Sequence, residues 1–184
     1  MSRASTQRVG RDSIQLVPLR PEDEWLTAAL ETDPVMMEHL GGPLDPDAVP
    51  ALHARRLAGM ERGDTWYFTI RLGDGTPVGA VCLWHDEAHP AGTSEAGWSV
   101  LPAYQGRGIA SAAVRQLIEL AREEGGRWGD IHAWPCVTNA ASNALCRSAG
   151  FVHVGVADFV FRGHPLRCNE WVLRDPDSDG DEAR

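Results

Sequence analysis

No stretch of this chain approaches the roughly 20 consecutive apolar residues that a membrane-spanning helix needs. The opening Met1-Ser-Arg-Ala-Ser-Thr-Gln-Arg carries no apolar segment behind its charges, so it does not read as a secretory leader. A cytoplasmic protein with no membrane partner is the expectation. Lysine is absent, so all 17 basic residues are arginine. With so much Ala, Gly and Pro, that reflects the codons of a GC-rich genome rather than a mechanism. Cysteine is scarce: four residues, at 82, 136, 146 and 168, with no CxxC pair. That spacing gives neither a zinc site nor a disulfide framework, and buried thiols in a reducing compartment are the reading. Positive charge is short as well. The net charge is −9, which counts against a nucleic-acid binder working by bulk electrostatics and suits a cationic substrate better.

What remains is an ordinary globular composition, 43% hydrophobic and 23% charged over 184 residues. At this length roughly 70% of the unfolded surface can be buried, enough for one domain with a real core. Residues 1–12 read as a flexible N-terminus and 13–174 as the domain. The acidic run Asp175-Pro-Asp-Ser-Asp-Gly-Asp-Glu, within 175–184, reads as a disordered tail.

Residues 13–18 alternate as a first strand, and Pro21-Glu-Asp-Glu opens a helix with carboxylates in its first turn. After Gly41-Gly-Pro, a second helix spans 46–62, with Val49, Leu52, Arg56 and Met60 on one face. Thr65–Leu72 and Pro77–Trp84 form a hairpin around Gly73-Asp-Gly. A third strand runs from Ser94 to Leu101. The strongest helix spans 107–124, with Ile109, Ala113, Leu117, Leu120 and Ala121 along one stripe. A strand at 128–134, a helix at 140–149 and strands at 151–162 and 166–174 complete the chain. The order β-α-α-β-β-β-α-β-α-β-β predicts an α+β fold with a mixed, mostly antiparallel sheet, because the long helix must cross over between two strands.

The segment Gln105-Gly-Arg-Gly-Ile-Ala joins a strand directly to the amphipathic helix. The first turn of a helix has unpaired N–H groups and partial positive charge, and Gly106 and Gly108 allow an anion close to the backbone. A phosphate cradle and a tight turn with no ligand both remain open on the turn alone. A dinucleotide motif fails, since Ser111 stands where its third glycine belongs, and the Gly-Lys-Ser/Thr of a P-loop is missing.

Gln105-Gly-Arg-Gly-Ile-Ala resembles the (Gln/Arg)-x-x-Gly-x-(Gly/Ala) loop of the GCN5-related N-acetyltransferases, the GNAT superfamily. Asn139-Ala-Ala-Ser-Asn-Ala-Leu-Cys-Arg-Ser-Ala-Gly-Phe is similar to that family's later helix. Leu19-Arg-Pro-Glu-Asp and Glu95-Ala-Gly-Trp resemble the branch holding the ribosomal-protein N-terminal acetyltransferases. The resemblance implies acyl-CoA binding, with acetyl-CoA as co-substrate and no metal. The pyrophosphate would lie on the amides of Gln105, Gly106, Arg107, Gly108, Ile109 and Ala110. The pantetheine arm would run beside Ser99, Val100 and Leu101, where this strand splays from the one near 130. Asn139 and Ser142 match positions that contact the arm or the thioester.

Acetyl transfer needs a neutral amine, whereas an ammonium with a pKa of about 10.4 is rarely neutral at pH 7, so a base helps. Glu95 is the candidate. It shares a strand face with Gly97 and Ser99, opposite Trp98 and Val100, and it precedes the loop as the family's base often does. A carboxylate that only attracts the cation is the other reading. Many relatives carry Tyr four residues before the Gly of Gly-Phe; here that position is Cys146, and the only tyrosines are Tyr67 and Tyr104. Ser142 is then the candidate acid, or simply a hydrogen bond to the cofactor. Cys146 reads as packing.

His85-Asp-Glu-Ala-His89 lacks zincin order, and Ser94 is followed by a strand rather than the helix of a nucleophile elbow. Trp25, Trp66 and Trp84 are either core or acceptor-pocket walls. The expected activity is transfer of acetyl from acetyl-CoA to a primary amine in a ternary complex. The acceptor is a small molecule or a protein N-terminus, and a homodimer is left open. The rivals are an acyl-CoA-binding protein with little transferase activity and an aminoacyl-tRNA-dependent transferase.

Overall fold

The computed structural model describes residues 14–85 and 93–175. The expected N-terminal arm, the acidic tail from residue 176 and most of the His85–His89 motif lie outside the described residues. The elements are β1 (Ile14–Pro18), α1 (Glu24–Glu31), α2 (Val49–Arg62), β2 (Thr65–Leu72), β3 (Pro77–His85), β4 (Thr93–Val100), α3 (Ile109–Glu123), β5 (Asp130–Ala133), α4 (Ala140–Ala149), β6 (Val152–Phe161) and β7 (His164–Leu173). Single 3₁₀ turns precede α1, α2 and α3. This is the predicted order, and it builds the mixed α+β fold. Seven strands form one sheet in the order β1-β2-β3-β4-β5-β7-β6, antiparallel throughout except for β4 beside β5. None of the described helices is long and apolar enough to cross a membrane.

Two differences from the sequence reading have simple causes. The long helix starts at Ile109 rather than 107, because Gly106 and Gly108 sit at φ +72° and +82°, outside helical space. The strand expected at 128–134 shortens to Asp130–Ala133, because Trp128, 1% exposed, plugs the core and Gly129 turns the chain at φ +55°.

Alternation along the strands gives the sheet two apolar faces. On one, Ile70, Val81, Leu83, Ala96 and Val100 pack with Ile109, Ala113, Val114, Leu117 and Ile118 of α3. Full burial of a side chain the size of Leu117 contributes about 1.5–3 kcal/mol, so this stripe fixes α3 on the sheet. On the other face, Tyr67 and Ala80 pack with Leu26 and Leu30 of α1 and with Leu57 and Met60 of α2.

The start of α1 is anchored by buried polar groups. Asp23, 2% exposed, accepts from Thr69 Oγ1 at 3.0 Å, Arg71 Nη2 at 2.7 Å and the Arg20 N–H at 3.1 Å. Buried His53 of α2 bridges Thr27 Oγ1 at 2.8 Å and the Arg20 carbonyl at 3.1 Å. With every partner supplied, these polar groups hold α1 and α2 in one orientation over the sheet.

Candidate active site

β3 pairs with β4 from Ser94 to Val100, opposite Gly79–His85. On its other edge β4 pairs with β5 only at Thr93–Asp130, Ser94–Ile131 and Glu95–His132. Past that point the chain leaves β4. Pro135, with no N–H to give a ladder, turns it along β7 instead. There the Asn169 N–H donates to the Pro135 carbonyl and the Val137 N–H to the Arg167 carbonyl, both at 2.9 Å. A wedge therefore opens between the strands from Glu95 toward Val100.

The ladder decides which β4 groups face the wedge. The Leu101 N–H donates to the Val78 carbonyl at 2.9 Å, across the Gly79–Val100 pair. That makes the pair the non-hydrogen-bonded kind, so the N–H and C=O of Val100 turn away from β3. The Val100 carbonyl is taken by Gln105 Nε2 at 2.9 Å, which leaves the Val100 N–H facing the wedge. By alternation Trp98 presents its backbone there too. Ser99 turns its backbone to β3 and its side chain to the Glu95 face. Of the three positions expected along the arm, Val100 turns its N–H to the wedge, while the Ser99 backbone faces β3 and the Leu101 N–H, just past β4, is spent.

At the wide end, the Pro102–Tyr104 turn leads into the glycine loop. The Gln105 N–H closes that turn on the Pro102 carbonyl at 3.3 Å, so Gln105 ties loop to strand rather than offering its amide. A Cβ added at Gly106 or Gly108 would meet nothing within 4 Å, so both backbones border open space. The first α3 amide to find a carbonyl is that of Ala112, on Gly108 at 3.0 Å. The N–H groups of Ile109, Ala110 and Ser111 therefore emerge at the loop, as at any helix start. The Arg107 guanidinium is bonded to the Ala103 carbonyl at 2.9 Å and lies over the Tyr104 ring. Open glycines, unspent amides and an adjacent guanidinium fit a pyrophosphate.

The third wall is the start of α4. Asn139 caps it, its Oδ1 accepting from the Ser142 N–H at 3.0 Å. Buried Asn143 locks the helix to the sheet. Its Oδ1 accepts from Asn169 Nδ2 at 2.7 Å and Trp171 Nε1 at 2.9 Å, and its Nδ2 donates to the carbonyls of Cys136 and Asn139 at 2.9 and 2.8 Å. Ser142 is half-buried. Cys146 is fully buried in the core, and burial pushes its thiol up to about 12, so it packs.

Glu95 lies on the α1/α2 face, in a row with Trp84 and His132. Tyr67, Cys82 and Gly97 form the next row. A Cβ on Gly97 would press on Cys82 Sγ at 3.0 Å and the Trp84 ring at 3.3 Å, so glycine keeps that floor flat. Burial pushes the Cys82 thiol up to about 12, against the opposing Arg56 charge, and the Cys168 thiol up to about 11, with Cys136 adding to it; the Glu95 charge contributes less at both. Trp66 packs on Trp128 with ring centres 4.8 Å apart, within the α3-side core and away from Glu95. Trp25 is 51% exposed on α1. Only Trp84 of the three adjoins Glu95.

Several groups here have no sequence signal. His132 Nδ1 lies 3.2 Å from Glu170 Oε1 beside Glu95. Glu31 joins Arg56 and Arg162, the latter at 2.9 Å, and the Arg56 guanidinium covers the Tyr67 ring at 4.4 Å. Register and tertiary packing create both clusters, and neither shows as spacing along the chain.

Solved structures share this arrangement of elements. RimL, the ribosomal L7/L12 alpha-N-protein acetyltransferase in complex with coenzyme A, is 16% identical with a TM-score of 0.75, over 90% of this chain and 96% of its own. The ribosomal-protein-S5-alanine acetyltransferase from Vibrio fischeri is 18% identical with a TM-score of 0.72, over 90% and 94%. The spermidine N-acetyltransferase from Vibrio cholerae, in complex with CoA and spermine, is 17% identical with a TM-score of 0.74, over 89% and 96%. At such identities the likeness is one of fold. The family model described as the acetyltransferase (GNAT) domain matches residues 13–152 of the sequence itself, and the chain therefore belongs to the GNAT acetyltransferase family.

Proposed function

We propose that this protein transfers an acetyl group from acetyl-CoA to a primary amine by direct attack in a ternary complex. The wedge beside β4 carries the reading, because it sets an unpaired strand edge between the glycine loop and Glu95. Acetyl-CoA supplies the activated acyl group. The amides at Gly106–Ser111, with Arg107, hold its pyrophosphate, and the edge of β4 at Trp98–Val100 pairs with its arm. The Val100 N–H, next to the loop, pairs with the arm, and the wedge-facing Trp98 N–H, nearer Glu95, serves as donor to the thioester oxygen, where negative charge develops. Asn139 orients the arm at the start of α4. Ser142 hydrogen-bonds the thioester end and donates a proton to the departing thiol.

Glu95 takes the proton from the ammonium of the acceptor, directly or through water. His132, its Nδ1 3.2 Å from Glu170 Oε1, stands beside it as the next group to carry that proton outward. The acceptor enters from the α1/α2 face, between Trp84 and the floor at Gly97. Neighbours of the fold named for a ribosomal-protein N-terminus and for spermidine set the two acceptor classes worth trying first.

The test is thiol release from acetyl-CoA over a panel of N-terminal peptides, polyamines and amino-bearing antibiotics. Turnover with one class supports the reading. Full thermal protection by CoA with no turnover on any amine would overturn it in favour of an acyl-CoA-binding protein.

A further inference from the structure

Cys136 and Cys168, 32 residues apart in sequence, face each other across an antiparallel bridge. The bonds on either side, Val137 N–H to Arg167 O and Asn169 N–H to Pro135 O, enclose the pair without joining it. It is therefore a non-hydrogen-bonded pair, the kind whose Cα atoms lie about 4.5 Å apart with side chains on one face. A disulfide needs Cα atoms roughly 4.4–6.8 Å apart. The two thiols differ in setting. Cys168 is 3% exposed, and burial raises its pKa. Cys136 is half-exposed, its Sγ 3.2 Å from Thr138 Oγ1, which in turn lies 3.1 Å from His39 Nδ1. That chain of contacts can carry the Cys136 proton to the imidazole. The acetyl transfer proposed above uses neither thiol.

We propose that Cys136 and Cys168 form a redox site, oxidised by a hydroperoxide to a cross-strand disulfide in the wall of the wedge. The Cys136 thiolate attacks a peroxide oxygen; the O–O bond breaks, giving a sulfenic acid at Cys136 and releasing water, or an alcohol from an alkyl hydroperoxide. Cys168 sulfur then displaces the hydroxyl from Cys136 sulfur, forming the S–S bond and releasing water with the Cys168 proton. The two thiols supply the two electrons that reduce the peroxide, and an external dithiol reverses the step. The bond pins the segment before Asn139 to β7, and so fixes the wall that ends in the α4 cap. Its effect on transfer rests on the proposed function, whereas its formation does not.

The native protein is treated with equimolar hydrogen peroxide, denatured, alkylated and mapped by mass spectrometry. The expected result is a linked peptide pair containing Cys136 and Cys168, about 2 Da lighter than the two thiols, with Cys82 and Cys146 alkylated. In Cys168→Ser, Cys136 should stop at a sulfenic acid that dimedone captures. Sulfinic Cys136 with Cys168 still alkylated, or bonds through Cys82 or Cys146, would overturn the proposal. In the second arm, acetyl-CoA turnover by the oxidised parent should change at least threefold and return with dithiothreitol, while Cys136→Ser ignores peroxide. A linked pair with unchanged turnover would overturn control of the wedge. Absence of turnover before oxidation would instead count against the proposed transferase and leave the peptide map to decide the disulfide.

Discussion

Glu95 and His132 are the last residues matched between β4 and β5. On one side of them the sheet is continuous; on the other the strands part, and the residues assigned to the acyl donor line the gap. The proposed base thus stands at the point of the wedge, where an acetyl group carried on an extended arm would end.

Replacing Glu95 by Gln keeps its size but removes proton acceptance. Loss of a general base lowers kcat by about 10²–10⁴-fold. The loss should shrink toward pH 9, as more acceptor arrives neutral, while CoA affinity holds. A raised KM with parental kcat across pH 6–9 would make Glu95 a binding residue only.

Gly108→Asp places a carboxylate beside the amides assigned to pyrophosphate. CoA should protect the parent by about 2.7 kcal/mol at a hundredfold excess over Kd, and this variant hardly at all. Gly75→Asp is the control, since its φ of +86° carries similar strain in the distant β2–β3 turn. It should lose stability yet keep the protection. Equal CoA protection in both variants would move the pyrophosphate elsewhere.

Asn143→Leu leaves the Asn169 and Trp171 donors without their acceptor and takes one of two donors from the carbonyls of Cys136 and Asn139, which keep their backbone bonds. A loss of about 2–4 kcal/mol in denaturant unfolding is expected. Weaker CoA protection should accompany it, because the start of α4 loses its side-chain tie to β7. A variant as stable as the parent would show that water replaces the amide.

Glu31 predicts a pH dependence. Burial acts to raise its pKa, but the combined bonds and charges of Arg56 and Arg162 outweigh it, and the net shift is downward. A depressed folded pKa contributes stability that is present above the unfolded value, near 4.5, and fades as pH falls through the folded one. Chemical denaturation from pH 7 to 3 should therefore show a steeper acid loss in the parent than in Glu31→Gln. Parallel curves would mean the carboxylate gains nothing from its arginines.

The elements were legible because each carries its own local signal. The stripe from Ile109 to Ala121 marked α3. Gly150-Phe151 marked the end of α4: the glycine turns left-handed at φ +94° and Phe151, 4% exposed, drops into the core. Glu95 was placed on its face by alternation alone. The direction of the Val100 N–H was not legible, because it depends on which neighbour β4 pairs with at that residue. Nor was the meeting of Cys136 with Cys168, or of His132 with Glu170, since such pairs follow from the register of β5 and β7. A sequence spells out periodicity, while register is settled only when distant strands dock.

The Arg162–Glu31 ion pair spans 131 positions of the chain. A contact closing so large a loop is favoured only after most of the intervening chain is ordered. The clasp between α1 and the β6–β7 turn is thus a late event in folding and an early one to let go. In hydrogen exchange, the backbone near Glu31 and near Arg162 should open together and ahead of α3. The molecule would then breathe on its acceptor side while the shelf for the acyl donor stays closed and rigid.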